Sequence, residues 1–159
     1  MKGAGILPIT IYKGIVFFLL GREKKNNYYC DFGGTQKIGE SDFTNAIREG
    51  YEELNGILGN KKKLKNLVKK NLLDTIEITN YTSYVFYLDY NIAENLPYYF
   101  NNCNEFIENN LVNKEYEIGE GLLEKSDIKL FRKNDLNPSI IRPFYKEVLD
   151  NIDESKYLN

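Results

Sequence analysis

Apolar positions along this chain follow two rhythms, a period of two that marks strands and a three-to-four spacing that marks helices. Residues 5–12 and 15–21 read as a strand pair joined at Lys13-Gly14. Residues 74–79 and 82–90 read as a second pair turning at Asn80-Tyr81, and residues 127–131 as a further strand. In TSYVFYLDY, residues 82–90, alternation puts Tyr84, Phe86, Leu88 and Tyr90 on one face and Val85 and Tyr87 on the other. Helical spacing links Phe43, Ala46, Ile47, Gly50 and Leu54, then Leu64, Leu67, Val68 and Leu72 beside KKKLKNLVKK, residues 61–70. Ile141, Phe144, Tyr145, Val148 and Ile152 predict a terminal helix over 138–152, and residues 94–110 predict a loop followed by a short helix. Arg22, Glu23, Lys24 and Lys25 lead into a polar loop ending in Tyr28-Tyr29, and Gly33-Gly34 reads as a turn.

Composition narrows the classes. A chain of 159 residues, 42% hydrophobic, is expected to form one domain over 1–159, since no linker, repeat or low-complexity tract divides it. The run IVFFLL at residues 15–20 lacks the flanks and cleavage site of a signal peptide, and no segment is apolar for long enough to span a membrane. A net charge of −2 argues against general coating of nucleic acid. Cys30 and Cys103 form neither a disulfide framework nor a zinc spacing, so a reducing, cytoplasmic setting is the expectation. There is no histidine, which removes histidine-based triads and histidine metal ligands and leaves carboxylates and lysines for chemistry.

The densest chemistry lies in GTQKIGESDFTNAIREGYEELNG, residues 34–56. On a helix, Glu49, Glu52 and Glu53 lie three and four residues apart, so they share one side, away from the apolar face. Carboxylates gathered this way repel one another unless a positive charge sits among them, and hard divalent cations favour such oxygen ligands. An acidic helix face is often no more than a solvated surface. The full spacing is more specific: six fixed residue types, each near 7% by ordinary usage, coincide by chance about once in 10⁷ positions.

Gly34, Glu40, Arg48, Glu49, Glu52 and Glu53 occupy the fixed positions of a pattern that resembles the Nudix box, Gx₅Ex₇REUxEExGU with U aliphatic. Three positions depart from it: Gly50 replaces an aliphatic residue, Asn55 stands at the late glycine with Gly56 next, and Asp31-Phe32 precedes the glycine pair where proline is common. A close helix–sheet approach would account for Gly50, and asparagine tolerates a left-handed helix end.

The resemblance implies an α/β (α+β) Nudix fold, a mixed β-sheet sandwiched between α-helices. It also implies hydrolysis of a nucleoside diphosphate linked to another moiety, with Mg²⁺ or Mn²⁺ held by Glu49, Glu52 and Glu53. Gly34 and Glu40 are further metal candidates. Arg48 joins Glu52 and Glu53 in the catalytic group as the residue that orients carboxylates, by pairing with Glu49 or Glu40. Glu53 or Glu52 is the first choice of base, and Glu117 or Glu120 in EYEIGEG, where the resemblance implies an extra metal ligand or a base, the second. Arg22 and Lys24 are candidate phosphate contacts.

Small size, mild acidity and the lack of an appended RNA-binding segment favour a small nucleotide, a (d)NTP or a relative. The six lysines of residues 61–70 are the one basic tract that could serve capped RNA in mRNA decapping. Dinucleoside polyphosphates and nucleotide sugars are further options, and a non-catalytic nucleotide-binding module of the same fold is the rival of another class. Oligomeric state is not encoded legibly, and a homodimer stays open.

Overall fold

The computed structural model describes residues 1–111 and 123–159. Among them are seven strands: β1 (Gly3–Tyr12), β2 (Ile15–Glu23), β3 (Tyr29–Cys30), β4 (Phe32–Thr35), β5 (Leu72–Ile78), β6 (Tyr81–Tyr87) and β7 (Lys125–Arg132). The α-helices are α1 (Asp42–Glu53), α2 (Lys61–Lys70), α3 (Tyr90–Ala93), α4 (Leu96–Asn110) and α5 (Tyr145–Asp150). No helix of the described residues is long and apolar enough to cross a membrane.

The sheet is mixed. β1 runs antiparallel to β2 and β4 and parallel to β6, and β5 adds to β6 at one edge. β1 pairs with β2 over Ile9–Tyr12 but with β4 over Gly3–Ile6, so the sheet forks part-way along β1. Past the fork, β2 lies between β3 and β7. The fork leaves a gap at the level of Glu23, Gly33 and Gly34, and the site is built there.

Each strand supplies both faces, as the period-two pattern requires. On one face Ala4, Ile6, Leu19, Phe32 and Phe86 pack against Ala46, Ile47 and Leu54 of α1, Leu64 and Val68 of α2, and Leu96 and Phe100 of α4. On the other, Leu7, Ile9, Phe18, Leu20 and Val85 pack against Tyr145, Val148 and Leu149 of α5, then Ile152 and Tyr157. The sheet is therefore sandwiched between helices. As expected, Phe86 and Leu88 share one core and Val85 belongs to the other. Tyr90 leaves that register, because the chain turns into α3 and stacks Tyr90 on Tyr12 with ring centroids 4.2 Å apart.

Four local expectations are corrected. Residues 138–152 do not form one helix: a 3₁₀ turn at Pro138–Ile140 is followed by a break, and α5 begins only at Tyr145. Pro143 is the reason, since it donates no hydrogen bond and biases Arg142 away from helix; Ile141 instead bridges Tyr29, and the Arg142 amide donates to the Tyr29 carbonyl at 3.0 Å. Strand β2 runs two residues further than expected, to Glu23, while the polar loop after it ends at Tyr28-Tyr29 as expected, where Tyr29–Cys30 pairs with Gly21 and Arg22. Gly33-Gly34 is not a turn but part of strand β4, opposite Gly5 and Ala4. The short helix within 94–110 is instead a helix of 15 residues, entered through Pro97 in its first turn.

Candidate active site

Helix α1 starts where Ser41 caps it, the hydroxyl accepting from the Thr44 amide at 3.2 Å. It ends with Asn55 and Gly56 in the left-handed region, φ 52° and 68°. Between these limits the helix lies unusually close to the sheet. A Cβ on Gly50 would meet Ile6 Cδ1 at 2.4 Å and Cγ1 at 2.6 Å, so glycine there permits the approach. That approach sets Arg48, Glu49 and Glu53 against β4.

Arg48 is the hub. Its guanidinium grips Glu40 with two hydrogen bonds, 2.7 Å from Nε and 3.0 Å from Nη2, and donates to Glu49 at 2.7 Å. It also reaches Asn45 at 2.7 Å and the Thr35 carbonyl at 3.1 Å, while Glu52 is held only loosely at 3.4 Å. The Arg48 guanidinium, helped by the Lys37 amide, holds the Glu40 carboxyl down at about 2. Glu40 thus anchors Arg48. Gly34 offers bare backbone to Glu49, since a Cβ there would stand 2.6 Å from the Glu49 carboxyl carbon, and its carbonyl accepts from the Asn45 amide at 3.0 Å.

Glu53 departs most from its expected place. Its spacing puts it on the open side of the helix, yet it is 4% exposed. Its Oε2 accepts from the Gly33 amide at 2.9 Å and lies 3.5 Å from Lys125 Nζ. Burial pushes the Glu53 carboxyl up to about 8, with Lys125 acting in the opposite direction. Burial also raises the Glu49 carboxyl, with Arg48 opposing it.

These groups border a cleft of about 660 Å³ lined by Glu23, Lys24, Lys25, Gly33, Gly34, Thr35, Glu49, Glu53, Glu124 and Arg142. Glu124 is close enough to raise the carboxyls of both Glu49 and Glu53. A second chamber of about 340 Å³ shares Gly33, Gly34, Thr35 and Arg142 with the cleft and is walled by Ile78, Tyr81 and Phe144. The Arg142 guanidinium lies 5.0 Å from the centroid of the Phe144 ring and donates to Glu23 at 2.8 Å.

The structure therefore brings Glu49, Glu53, Gly34 and Lys24 to one cleft. Glu52 and Glu40 lie on Arg48 instead. Arg22 points to Asp127 and lies 6.0 Å from the centroid of the Tyr29 ring, and Lys24 also pairs with Glu108. Glu117 and Glu120 fall outside the described residues. Among the described residues no three His, Cys, Asp or Glu side chains are gathered as a ready-made cation site. Arg48 and Lys125 supply the positive charge between the carboxylates. The cleft still suits a hard cation by donor chemistry: four carboxylates, Glu23, Glu49, Glu53 and Glu124, border it, and its remaining polar groups carry no soft ligand.

Sequence reasoning missed Glu23, Glu124, Lys125, Arg142 and Asp31. Asp31 is fully buried and accepts from Tyr81 at 2.6 Å and Ser83 at 2.7 Å. No local motif marks any of these. They meet only because the forked sheet brings β2, β4 and β7 together and the Ile141–Arg142 segment docks on Tyr29 of β3.

No family model matches the sequence, and no curated protein matches it either. Solved structures do. The Ap4A hydrolase of Caenorhabditis elegans, in a binary complex, superposes with a TM-score of 0.53 at 16% identity, over 94% of this chain and 92% of that one. A structure assigned to the NUDIX hydrolases from Listeria monocytogenes gives 0.52 at 15% identity, over 97% and 92%. The Nudix hydrolase RenU of M. smegmatis gives 0.50 at 12% identity, over 98% and 86%. The fold of this chain is the fold those hydrolases share.

Proposed function

We propose that this chain, built on the Nudix hydrolase fold, is a Mg²⁺- or Mn²⁺-dependent pyrophosphohydrolase. It cleaves a phosphoanhydride bond in a nucleoside diphosphate linked to another group, with a small nucleotide such as a (d)NTP as its substrate. One observation carries the reading: Glu49 and Glu53, four residues apart on α1, border a charged cleft beside the bare backbone of Gly33 and Gly34.

Glu49, Glu52 and Glu53 would hold the metal, Glu52 by leaving its weak contact with Arg48. A divalent cation bound there neutralises phosphate charge and acidifies water. The protein's own groups do the rest. Arg48, itself anchored on Glu40, fixes the Glu49 carboxylate, which narrows the geometries the ligand can adopt. Lys24, Lys25 and Arg142 face the phosphates from the cleft wall. Water attacks phosphorus in line, the anhydride P–O bond breaks, and Glu53 or Glu52 takes the proton. The Glu53 carboxyl, held high by burial, must lose its own proton before it can act, and a cation nearby favours that ionised form.

The chamber walled by Tyr81, Ile78 and Phe144 supports a nucleotide rather than inorganic pyrophosphate, because aromatic and apolar walls suit a base. The lysines of 61–70 do not line the cleft, so capped RNA receives no support from them. A cytoplasmic setting accompanies this reading, supported by the free thiols of Cys30 and Cys103.

The test is release of phosphate or pyrophosphate from a panel of (d)NTPs, dinucleoside polyphosphates, nucleotide sugars and capped RNA, with Mg²⁺, Mn²⁺ or EDTA. Metal-dependent turnover that Glu53→Gln and Glu52→Gln each lower by at least about a hundredfold is the expected result. No turnover on the whole panel, or full activity in both variants, would overturn it.

A further inference from the structure

Lys125 opens strand β7 at the fork of the sheet, where it pairs in register with Glu23. Its side chain has no solvent exposure. Lysine is almost never buried this way unless paired, because a desolvated charge is costly. Three oxygens meet its ammonium: the Asp31 carbonyl, which accepts at 3.0 Å, Glu53 Oε2 at 3.5 Å and Glu23 Oε1 at 3.8 Å. They come from the β3–β4 link, α1 and β2, the three elements around the cleft.

The surroundings are shaped for the lysine stem. A Cβ on Gly21 would stand 2.9 Å from Lys125 Cδ and 3.1 Å from Cε, so the missing side chain there is the space the stem occupies. The ammonium also sits 5.8 Å from the centroid of the Phe32 ring. Buried ion pairs are weak evidence for stability, since apolar replacements of similar volume often do as well. What this pair fixes is direction. Oε2 of Glu53 faces two donors, the Gly33 amide and Lys125. Oε1 has no protein hydrogen bond among the described residues, and Glu53 lines the cleft whereas Lys125 does not.

We propose that Lys125 is a positioning residue for the metal site, an internal cation that holds one oxygen of Glu53 from behind and so presents the other to a divalent ion in the cleft. The inference rests on the proposed function. Two effects of Lys125 oppose each other, since its charge also repels a metal. Orientation wins because Glu53 and Glu23, which line the cleft, stand between the ammonium and any ion there. Groups that orient metal ligands in this way typically change metal affinity by about 10–100-fold.

The test is Mn²⁺ binding by calorimetry, without substrate, to wild type, Lys125→Met, Glu53→Gln and the double variant, with each protein's thermal unfolding recorded. Lys125→Met is expected to weaken Mn²⁺ binding by about tenfold or more in the Glu53 background. In the Glu53→Gln background it should change nothing, because the carboxylate it acts through is gone. Unchanged or tighter binding in folded Lys125→Met, or an equal loss in both backgrounds, would overturn the inference and leave the proposed function standing. Wild type that binds no Mn²⁺ would overturn both. Should Lys125→Met fail to fold, the charge-balanced double variant decides: folding and binding Mn²⁺ as Glu53→Gln does supports the inference, and weaker binding or failure to fold overturns it.

Discussion

Gly34 lacks a side chain where the Glu49 carboxylate needs the room. A methyl group placed there would approach three atoms of that carboxylate within 2.6–2.8 Å, and the carboxylate is the more mobile partner. Gly34→Ala should therefore leave the melting temperature nearly unchanged while lowering turnover by roughly tenfold or more, because a ligand displaced by about 1 Å loses its geometry. Unaltered kinetics in that variant would show that Glu49 does not need its position. Glu40 gives a second prediction at this scale. Its folded-state carboxyl, held at about 2 by Arg48, lies below the usual 4.5, so the charged form stabilises the fold. That contribution is complete above 4.5 and is lost as pH falls from there through 2. Wild type should unfold at a higher temperature than Glu40→Gln near neutral pH, with the gap closing across that window. A gap that persists to the acid end would show that Glu40 contributes through packing and not through charge. The residue types of the site were legible in the sequence because their spacing along one helix is local. Their partners were not: nothing in KSDIKLFR marks its first lysine as the buried counter-charge of Glu53, since that pairing depends on how β7 meets β2.

Helix α1 illustrates how far an element could be read. Its start, its apolar face and its left-handed end all follow from Ser41, the spacing Ala46-Ile47-Gly50-Leu54 and Asn55. The strands β1, β2, β5 and β6 were equally plain, because each is rich in β-branched or aromatic residues and is bounded by turn residues. Shorter elements escaped notice. Strand β4 contains two glycines, poor strand formers that are kept there because Tyr81 and Gly5 crowd the place of any Cβ on Gly33. Burial of Glu53 is also set at this scale, since the tight helix–sheet approach at Gly50 carries Glu53 inward beside the Gly33 amide. That approach is testable. Gly50→Ala should gain roughly 1 kcal/mol of helix propensity. It should lose about 1–3 kcal/mol through the clash with Ile6. A net fall in unfolding temperature is expected, turning to a rise when the same change is made in an Ile6→Ala background, where the nearest remaining atom of residue 6, Cβ at 3.8 Å, is at ordinary contact distance. A rise in the single variant would show that the helix can lift without cost.

At the scale of the whole molecule, the fork in the sheet gathers opposite charges at one cleft while leaving a second basic region elsewhere. Six lysines on α2 are exposed, and two of them cover rings of α1: Lys61 lies 5.5 Å from the centroid of Tyr51 and Lys69 5.7 Å from that of Phe43. They solvate and shield a helix pair. Lys24 and Lys25 instead line the cleft with Arg142. The two groups should thus separate in kinetics. Replacing Lys24 and Lys25 with Gln should raise KM for a nucleotide by roughly fivefold, equivalent to about 1 kcal/mol shared by two partly exposed charges. Replacing Lys62, Lys65 and Lys70 should leave KM within about twofold at physiological salt, where screening over a Debye length of about 8 Å suppresses distant charges. The contrast should shrink for the cleft variant as salt rises, since its missing contacts are then screened in wild type too. Were the α2 replacements to raise KM as much as the cleft pair, and to do so more for capped RNA than for a free nucleotide, the substrate would extend across the helix and the small-nucleotide reading would give way to RNA.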